Sequence, residues 1–331
     1  MDAGLQAVAE LASAELVKVV HFVRHAQSVY NAAQHSPEPH DPMVHDAPLT
    51  EHGQAQATAA ANADLAAIAP PPLIIVSPLS RAIQTALLVF PDAPIVATRP
   101  AHPNWAHTRV VLNDLGREAV SGSDDIGSPP HLLAAAFPGL DTSSLPGPVW
   151  WYTGPDADDG DDWEASRERY LAAPYDEPDA VFASRMDAWL AWMMDQPEPV
   201  AASVSHYHVI FHLTGYSLGN AQLRSTLALA VDGGVHFLRL SERAWLAPLR
   251  LVVRLTEADD IFGGKAVAWA HVRGELFLAT GPYPCAALDG LLDALEAADP
   301  PAAALITSAE RETLILRLEP EPSYSESDSD E

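Results

Sequence analysis

Residues 16–23 read LVKVVHFV and run directly into Arg24-His25. An almost unbroken apolar run rich in β-branched residues suits a strand covered on both faces, as strands of a parallel sheet are. Outward from it the chain alternates between strand and helix patterns. Residues 50–69 form an Ala-rich helical pattern with Thr50 as N-cap and Pro70-Pro71-Pro72 as its stop. LIIV at 73–76 is a second buried strand. Ser77 and Pro78 then read as the N-cap and first position of a helix over Leu79–Phe90, and Ile95–Thr98 as a third short strand. In 179–195, Phe182, Met186, Trp189, Leu190 and Met193 share one helical face, which core packing explains. Val200–Ser205 is a fourth strand, ending at His206, with a helix over 207–213. The alternation predicts an α/β fold with a mostly parallel central sheet and helices on both faces.

Other segments differ in style. Residues 99–178 are rich in Pro, Gly, Asp and Trp and read as an insertion in a crossover between strands. Its aromatics Trp105, Trp150, Trp151, Tyr152 and Trp163 pack a small core of their own or form a lid over a ligand, and core packing is the simpler reading. After residue 245, LRLVVRL, AVAWAHV and ELFLATG read as strands, the last two joined around Arg273-Gly274. The segment from Cys285 to Ala298 reads as an amphipathic helix, and ALITS and ETLILRL as a further hairpin. The expected organisation is a catalytic domain over 1–245, a small α+β extension over 246–319 and a disordered acidic tail over 320–331.

Composition narrows the function. The formal charge is −27, which repels phosphodiester backbones and anionic membrane surfaces, so neither nucleic acid nor membrane is an expected partner. A single cysteine, Cys285, excludes a disulfide scaffold. Asp2, Glu10 and Glu15 precede the first basic residue, Lys18, the reverse of a targeting peptide, so a cytoplasmic setting is expected.

Three strand patterns end in a cationic or potentially cationic side chain. Arg24 and His25 follow the first, Arg81 lies just after the second and His206 follows the fourth. Ligands of open α/β sheets bind beyond the carboxyl ends of the strands, where these four would converge. Two guanidiniums and two imidazoles suit a phosphate dianion.

Four stretches carry a family resemblance. VRHAQSVYN at 23–31, DAPLTEHGQAQA at 46–57, SPLSRAIQTA at 77–86 and VSHYHVIFHLTG at 204–215 resemble, in order, the motifs of the histidine phosphatase superfamily, in its phosphoglycerate mutase-like branch. The resemblance implies a phosphoglycerate mutase-like α/β fold and phosphoryl transfer through a phosphohistidine, with neither metal nor cofactor. By position it implies His25 as nucleophile, Arg24, Arg81 and Asn31 as phosphate-binding residues and His206 as the second pocket histidine. The chemistry asks for a neutral His25 with one ring nitrogen held protonated, and for a protonated His206 beside the phosphate. VLNDLGREAVSGSDDIGS at 111–128 resembles the acid-bearing stretch of phosphatase-like members in plants and fungi, a Leu-x-Glu followed by an Asp-rich turn. It implies Glu118 as general acid, with Asp114 as runner-up, and hydrolysis of a small phosphorylated substrate before mutase-type transfer.

Competing readings have their own residues. His208 and His212, four apart on a helix, read as a packed or surface pair before a metal pair. The acid run at 155–162 reads as a solvated loop. GYSLG at 215–219 has the letters of a nucleophile elbow but follows a helix where the elbow requires a strand. A catalytically silent, phospho-ligand or protein-binding member is the rival from another class, with the extension or acidic tail as its protein-binding part. Ser323, Ser325 and Ser327, each with an acid three residues on, suit acid-directed kinases or simply an unmodified solubilising tail.

Overall fold

The computed structural model describes residues 17–63, 70–99, 101–155, 162–231, 234–246, 251–256, 266–272 and 275–281. The chain divides into two compact units, Leu16–Phe237 and a second that takes in the chain from Leu238 on. The expected boundary at 245 falls inside a strand, Gly234–Leu246.

The first unit is built on a sheet of β1 (Val17–Arg24), β2 (Leu73–Val76), β3 (Arg109–Leu112), β4 (Val200–Ser205) and β5 (Leu223–Val231), in the order β3-β2-β4-β1-β5. β1, β2, β3 and β4 run parallel, with Val19 opposite Val200, Leu73 opposite Ala201 and Leu73 opposite Arg109; β5 is antiparallel to β1. The sheet is therefore mixed but mostly parallel. Side chains alternate between its faces, as the pleat requires. Val23, Ile74, Val76, Ala202 and Val204 pack on one face with α2 (Glu51–Ala63) and α3 (Ser80–Val89). Val20, Phe22, Leu73, Ile75 and Ala201 pack on the other with α6 (Asp179–Asp195) and α7 (Tyr207–Thr214). Phe182, Met186, Trp189 and Met193 are buried on that face, so the 179–195 stripe is core. The remaining helices are α1 (Val29–Gln34), α4 (Pro130–Ala136) and α5 (Trp163–Ala172).

The structure corrects two local readings. Ile95–Thr98 forms no strand and contributes one isolated bridge, Val96 to Leu140. Arg109–Leu112 takes the place beside β2, because it runs parallel to all four residues of that strand. Nor does Ser77 cap α3, which begins at Ser80 after Leu79. Asp46 does that work, accepting Ser80 N–H at 2.7 Å and Ser80 Oγ–H at 2.7 Å, and Ser77 is free for another partner. Asp46 adopts φ 48°, a left-handed conformation that Asp tolerates better than most residues.

The insertion packs a core. Trp150 and Trp151 are buried, meet edge to face at 5.4 Å and donate to Ser128 O at 2.9 Å and Ser166 Oγ at 2.8 Å. Gly127 has to be glycine there, since a Cβ would fall 2.4 Å from Trp150. Trp105, Tyr152 and Trp163 lie partly buried against the same cluster.

β6 (Gly234–Leu246), whose residues from Leu238 on belong to the second unit, β7 (Leu251–Thr256), β8 (Ala266–Val272) and β9 (Glu275–Gly281) form successive antiparallel pairs, with Val272 opposite Glu275. The amphipathic segment from Cys285, the second hairpin, the acidic tail and most of the acid run lie outside the described residues. No helix among the described residues is long and apolar enough to cross a membrane.

Candidate active site

β1 delivers Arg24 and His25 to its carboxyl end, and the loop there is fixed from three sides. His25 N–H donates to Ser205 O at 2.9 Å, Ala26 N–H to Thr85 Oγ1 at 3.0 Å, and Asn220 Nδ2 to the His25 carbonyl at 3.0 Å. Ala221, which also donates to that carbonyl, holds φ 59°, a strained conformation at the turn closing behind the histidine. Helix α2 approaches the loop through Gly53, where a Cβ would fall 2.1 Å from the Gln27 carbonyl oxygen.

His25 and His206 are buried, with ring centroids 5.1 Å apart. Nδ1 of His25 lies 2.7 Å from the Ala26 carbonyl. A carbonyl oxygen only accepts, so Nδ1 carries the proton and Nε2 its lone pair. Burial, reinforced by Arg81 and Arg24, pushes the His25 imidazole well below its ordinary pKa. It is therefore the neutral, oriented imidazole the sequence asks for.

For His206 the expectation of a protonated ring concerns the pocket with phosphate present. Its ring is also held well below its ordinary pKa, by burial first and then by Arg81, His25, Arg24 and Arg185. Burial, with Arg81 beside it, therefore favours the neutral form of His206 before an anion enters. Its Nε2 lies 2.7 Å from Ser77 Oγ, the partner that Ser77 gains by not capping α3. Ser77 Oγ also accepts Leu79 N–H at 3.4 Å, and its second lone pair and its proton suit either tautomer of the His206 ring.

The arginines follow from their elements. Arg81 stands in the first turn of α3 and is fully buried. Its Nη1 donates to Asp124 O at 2.6 Å and lies 3.1 Å from Asp124 Oδ2; its Nη2 donates to Asp125 Oδ1 at 2.7 Å. Arg24 donates from Nη1 to Leu218 O at 2.7 Å and lies over the Tyr207 ring. Arg24 Nε, Arg81 Nε and His206 Nδ1 are all buried without a hydrogen-bond partner. Two orphaned guanidinium donors and a bare ring nitrogen beside the His25 ring have the chemistry to take an anion, because a buried donor left unpaired is costly until something accepts from it.

Glu118 sits against this cluster. Its Oε1 accepts Ala119 N–H at 3.0 Å and its Oε2 accepts His208 N–H at 3.2 Å, in the first turn of α7, with His208 Nδ1 at 3.3 Å. Burial opposes its charge, but the His208 hydrogen bond and charge, with Arg81, outweigh burial and hold the carboxyl below its usual range. Glu118 is thus ionised, the state of a base. His208 is raised by the same contact and half-exposed, while His212 packs edge-on against Phe182. Asp114 lies in a different environment: its carboxyl is raised by burial and feels Arg117 and Arg185. Asn31 Oδ1 accepts Ser28 N–H at 3.2 Å and Asn220 Nδ2 at 3.1 Å, which leaves its amide protons for other acceptors.

Sequence reading missed Ser77, Asp124, Asp125 and Asn220 as members of the site. Ser77 lies within the third family-like stretch and the two aspartates within the acid-bearing one. What went unread was whom they bond.

Beyond the carboxyl ends of a mostly parallel α/β sheet, two histidines and two arginines thus come together. The model of the histidine phosphatase superfamily (branch 1) matches residues 20–99, so the superfamily resemblance carried by the first three of the four stretches is shown. No curated protein matches the chain. Among solved structures, a mycobacterial glucosyl-3-phosphoglycerate phosphatase is similar at 19% identity, with 64% of this chain and 91% of that one covered and a TM-score of 0.35. A phosphoglycerate mutase from Bacillus anthracis is similar at 16% identity, with 67% and 92% covered and a TM-score of 0.38.

Proposed function

We propose that this protein hydrolyses a small phosphorylated metabolite in two displacements through a phosphohistidine at His25. The observation that supports the reading best is the pairing of a neutral imidazole, its Nδ1 proton held by Ala26 O, with the orphaned donors Arg24 Nε and Arg81 Nε and the bare Nδ1 of His206. Nε2 of His25 attacks phosphorus while the arginines, His206 and the amide of Asn31 hold the three phosphoryl oxygens. Donors already aimed at the charge of the transition state are commonly the largest contribution to rate. A phosphate dianion beside His206 raises its pKa toward the protonated form. Glu118, ionised, takes the proton of the water that attacks the phosphohistidine. The resemblance of 111–128 to the phosphatase-like form of the acid-bearing stretch favours water over a second phospho-acceptor.

The test is incubation with para-nitrophenyl phosphate and a broad panel of phosphomonoesters, with His25→Ala as control, followed by quenching and an assay for an acid-labile phosphoryl group. The expected result is turnover and a phosphoryl adduct on His25 in the wild type only. Absence of both, across the panel, leaves the phospho-ligand-binding reading in its place.

A further inference from the structure

Three carboxylates surround Arg81, and the proposed hydrolysis uses only Glu118. Asp125 is a fully engaged carboxylate. Beyond its bond to Arg81, its Oδ2 accepts the N–H groups of Ser121 at 3.0 Å and Gly122 at 3.1 Å. Asp124 is different. One oxygen, Oδ2, faces Arg81, while the other, Oδ1, is buried without a partner in a residue only 4% exposed. A carboxylate with a bare buried oxygen, next to a second carboxylate, is a costly arrangement. A carboxylic acid with its proton on that oxygen is far less so.

Local charge leads the same way. If Asp124, Asp125 and Glu118 were all ionised, their three charges would balance Arg24, Arg81 and the His208 that lies against Glu118, leaving no positive field for a phosphate dianion. One proton on Asp124 supplies it. The setting is also sterically defined. A Cβ at Gly122 would fall 2.8 Å from Asp124 Oδ1 and 2.7 Å from both Cζ and Oη of Tyr30, so the glycine leaves room for Oδ1 beside a residue of α1, just after the His25 loop.

Resting on the phosphohistidine reading of the same pocket, we propose that Asp124 is the catalytic acid: its Oδ1 proton passes to the leaving oxygen, and Glu118 serves only the water step. In the first displacement the His25 Nε2 to phosphorus bond forms, the bond from phosphorus to the ester oxygen breaks, and that oxygen takes the Asp124 proton and leaves as alcohol. In the second, water attacks phosphorus, its proton goes to Glu118 and the electron pair of the phosphorus to nitrogen bond returns to Nε2. Transfer of that proton from Glu118 to Asp124 restores both groups. Burial and then Asp125 push the Asp124 carboxyl well above its ordinary range, against the pull of Arg81. The charged or titratable groups facing it are Asp125 in its own turn, Arg81 from α3, Glu118 from the preceding segment and Tyr30 from α1.

Single-turnover formation of the phosphohistidine, compared between para-nitrophenyl phosphate and glycerol phosphate, tests the assignment. Nitrophenolate leaves without help and an alkoxide does not. Asp124→Asn is expected to slow the step about 100-fold or more with glycerol phosphate and less than about 10-fold with the nitrophenyl ester. Glu118→Gln slows hydrolysis of the phosphohistidine instead. Equal losses on the two esters, or none, would overturn the role of Asp124. The wild-type pH profile tests the same assignment without a variant, should Asp124→Asn fail to fold. The glycerol phosphate rate is expected to fall as pH rises through the Asp124 titration while the nitrophenyl rate does not, and parallel profiles would overturn it. A wild type that forms no phosphohistidine with either ester overturns the reading of the pocket itself.

Discussion

Arg185 and Arg81 are both buried arginines of the first unit, each facing carboxylates from the insertion. Their donor inventories differ. Arg185 Nε and Nη2 donate to Glu177 at 3.0 and 2.7 Å, Nη1 donates to the carbonyls of Leu115 and Arg117 at 2.7 and 2.8 Å, and Nη2 donates again to the Glu118 carbonyl at 3.3 Å. All five N–H groups of a guanidinium are then used. Arg81 leaves Nε without a partner. A closed set of bonds marks a structural node, which here ties α6 to the segment carrying Glu118. An open edge beside two histidines marks a site. Burial and charge alone do not separate the two; an unpaired donor beside the two histidines does.

The comparison can be broken by mutation. Arg185→Ala leaves Glu177, itself buried, without its main partner, and is expected to destabilise the fold by about 3–5 kcal/mol. A fall in denaturation midpoint much smaller than that would show that the node is not closed. Arg81→Ala is expected to cost about 10²–10³-fold in kcat on nitrophenyl phosphate, the scale of losing one preorganised donor. Its effect on unfolding should be the smaller of the two, because Asp124 already carries a proton and Asp125 can take one up, whereas Arg185→Ala also removes three bonds to backbone carbonyls. Reversal of that order, with Arg185→Ala the more damaging to kcat and Arg81→Ala to stability, would exchange the two roles.

Packing behind the site gives the next largest effect. Gly53→Ala forces a methyl onto the Gln27 carbonyl and is expected to cost about 1–3 kcal/mol, with kcat lost in step as the His25 loop shifts. Unchanged thermal stability would mean that α2 yields freely.

The pH dependence of stability follows from the protonation states. His25 and His206 titrate near 6.5 in the unfolded chain and well below it when folded. Between those values the unfolded state binds more protons, so stability falls as pH drops through about 6.5. Asp124 acts in the opposite sense. Its raised pKa favours the folded state at low pH, and that contribution is lost as pH rises through its folded value. Thermal unfolding from pH 8 to pH 5 should therefore show a declining Tm, steeper in Asp124→Asn and shallower in His206→Gln. At the small end, Arg109 and Glu198 form an ion pair with a 43% exposed guanidinium. Arg109→Ala is expected to change stability by less than about 1 kcal/mol, and less still at high salt.

Much of the fold was legible because its strongest signals are local. LVKVVHFV, LIIV and VAASVS are largely apolar runs at strand length, and the 179–195 stripe keeps helical period through about three turns of core. Ile95–Thr98 and Arg109–Leu112 show where that reading stops. Both are short β-branched runs, and the one that runs parallel to β2 along its whole length becomes the strand. β5 went unread for a similar reason: LRSTLALAV carries strand character, but its antiparallel place beside β1 is a matter of pairing across some 200 residues.

The sequence by itself determined the kinds of chemistry present: which strands end in Arg24, His25 and His206, that Arg81 opens a helix, and that acids follow at 118, 124 and 125. Tertiary structure decided what state each group is in. Ser77 bonds His206 because Asp46 already caps α3, Glu118 is ionised because the first turn of α7 meets it, and Asp124 is left with a bare oxygen because Asp125 takes the backbone donors of its turn. Protonation depends on the partners that burial leaves available, and those partners come from distant parts of the chain.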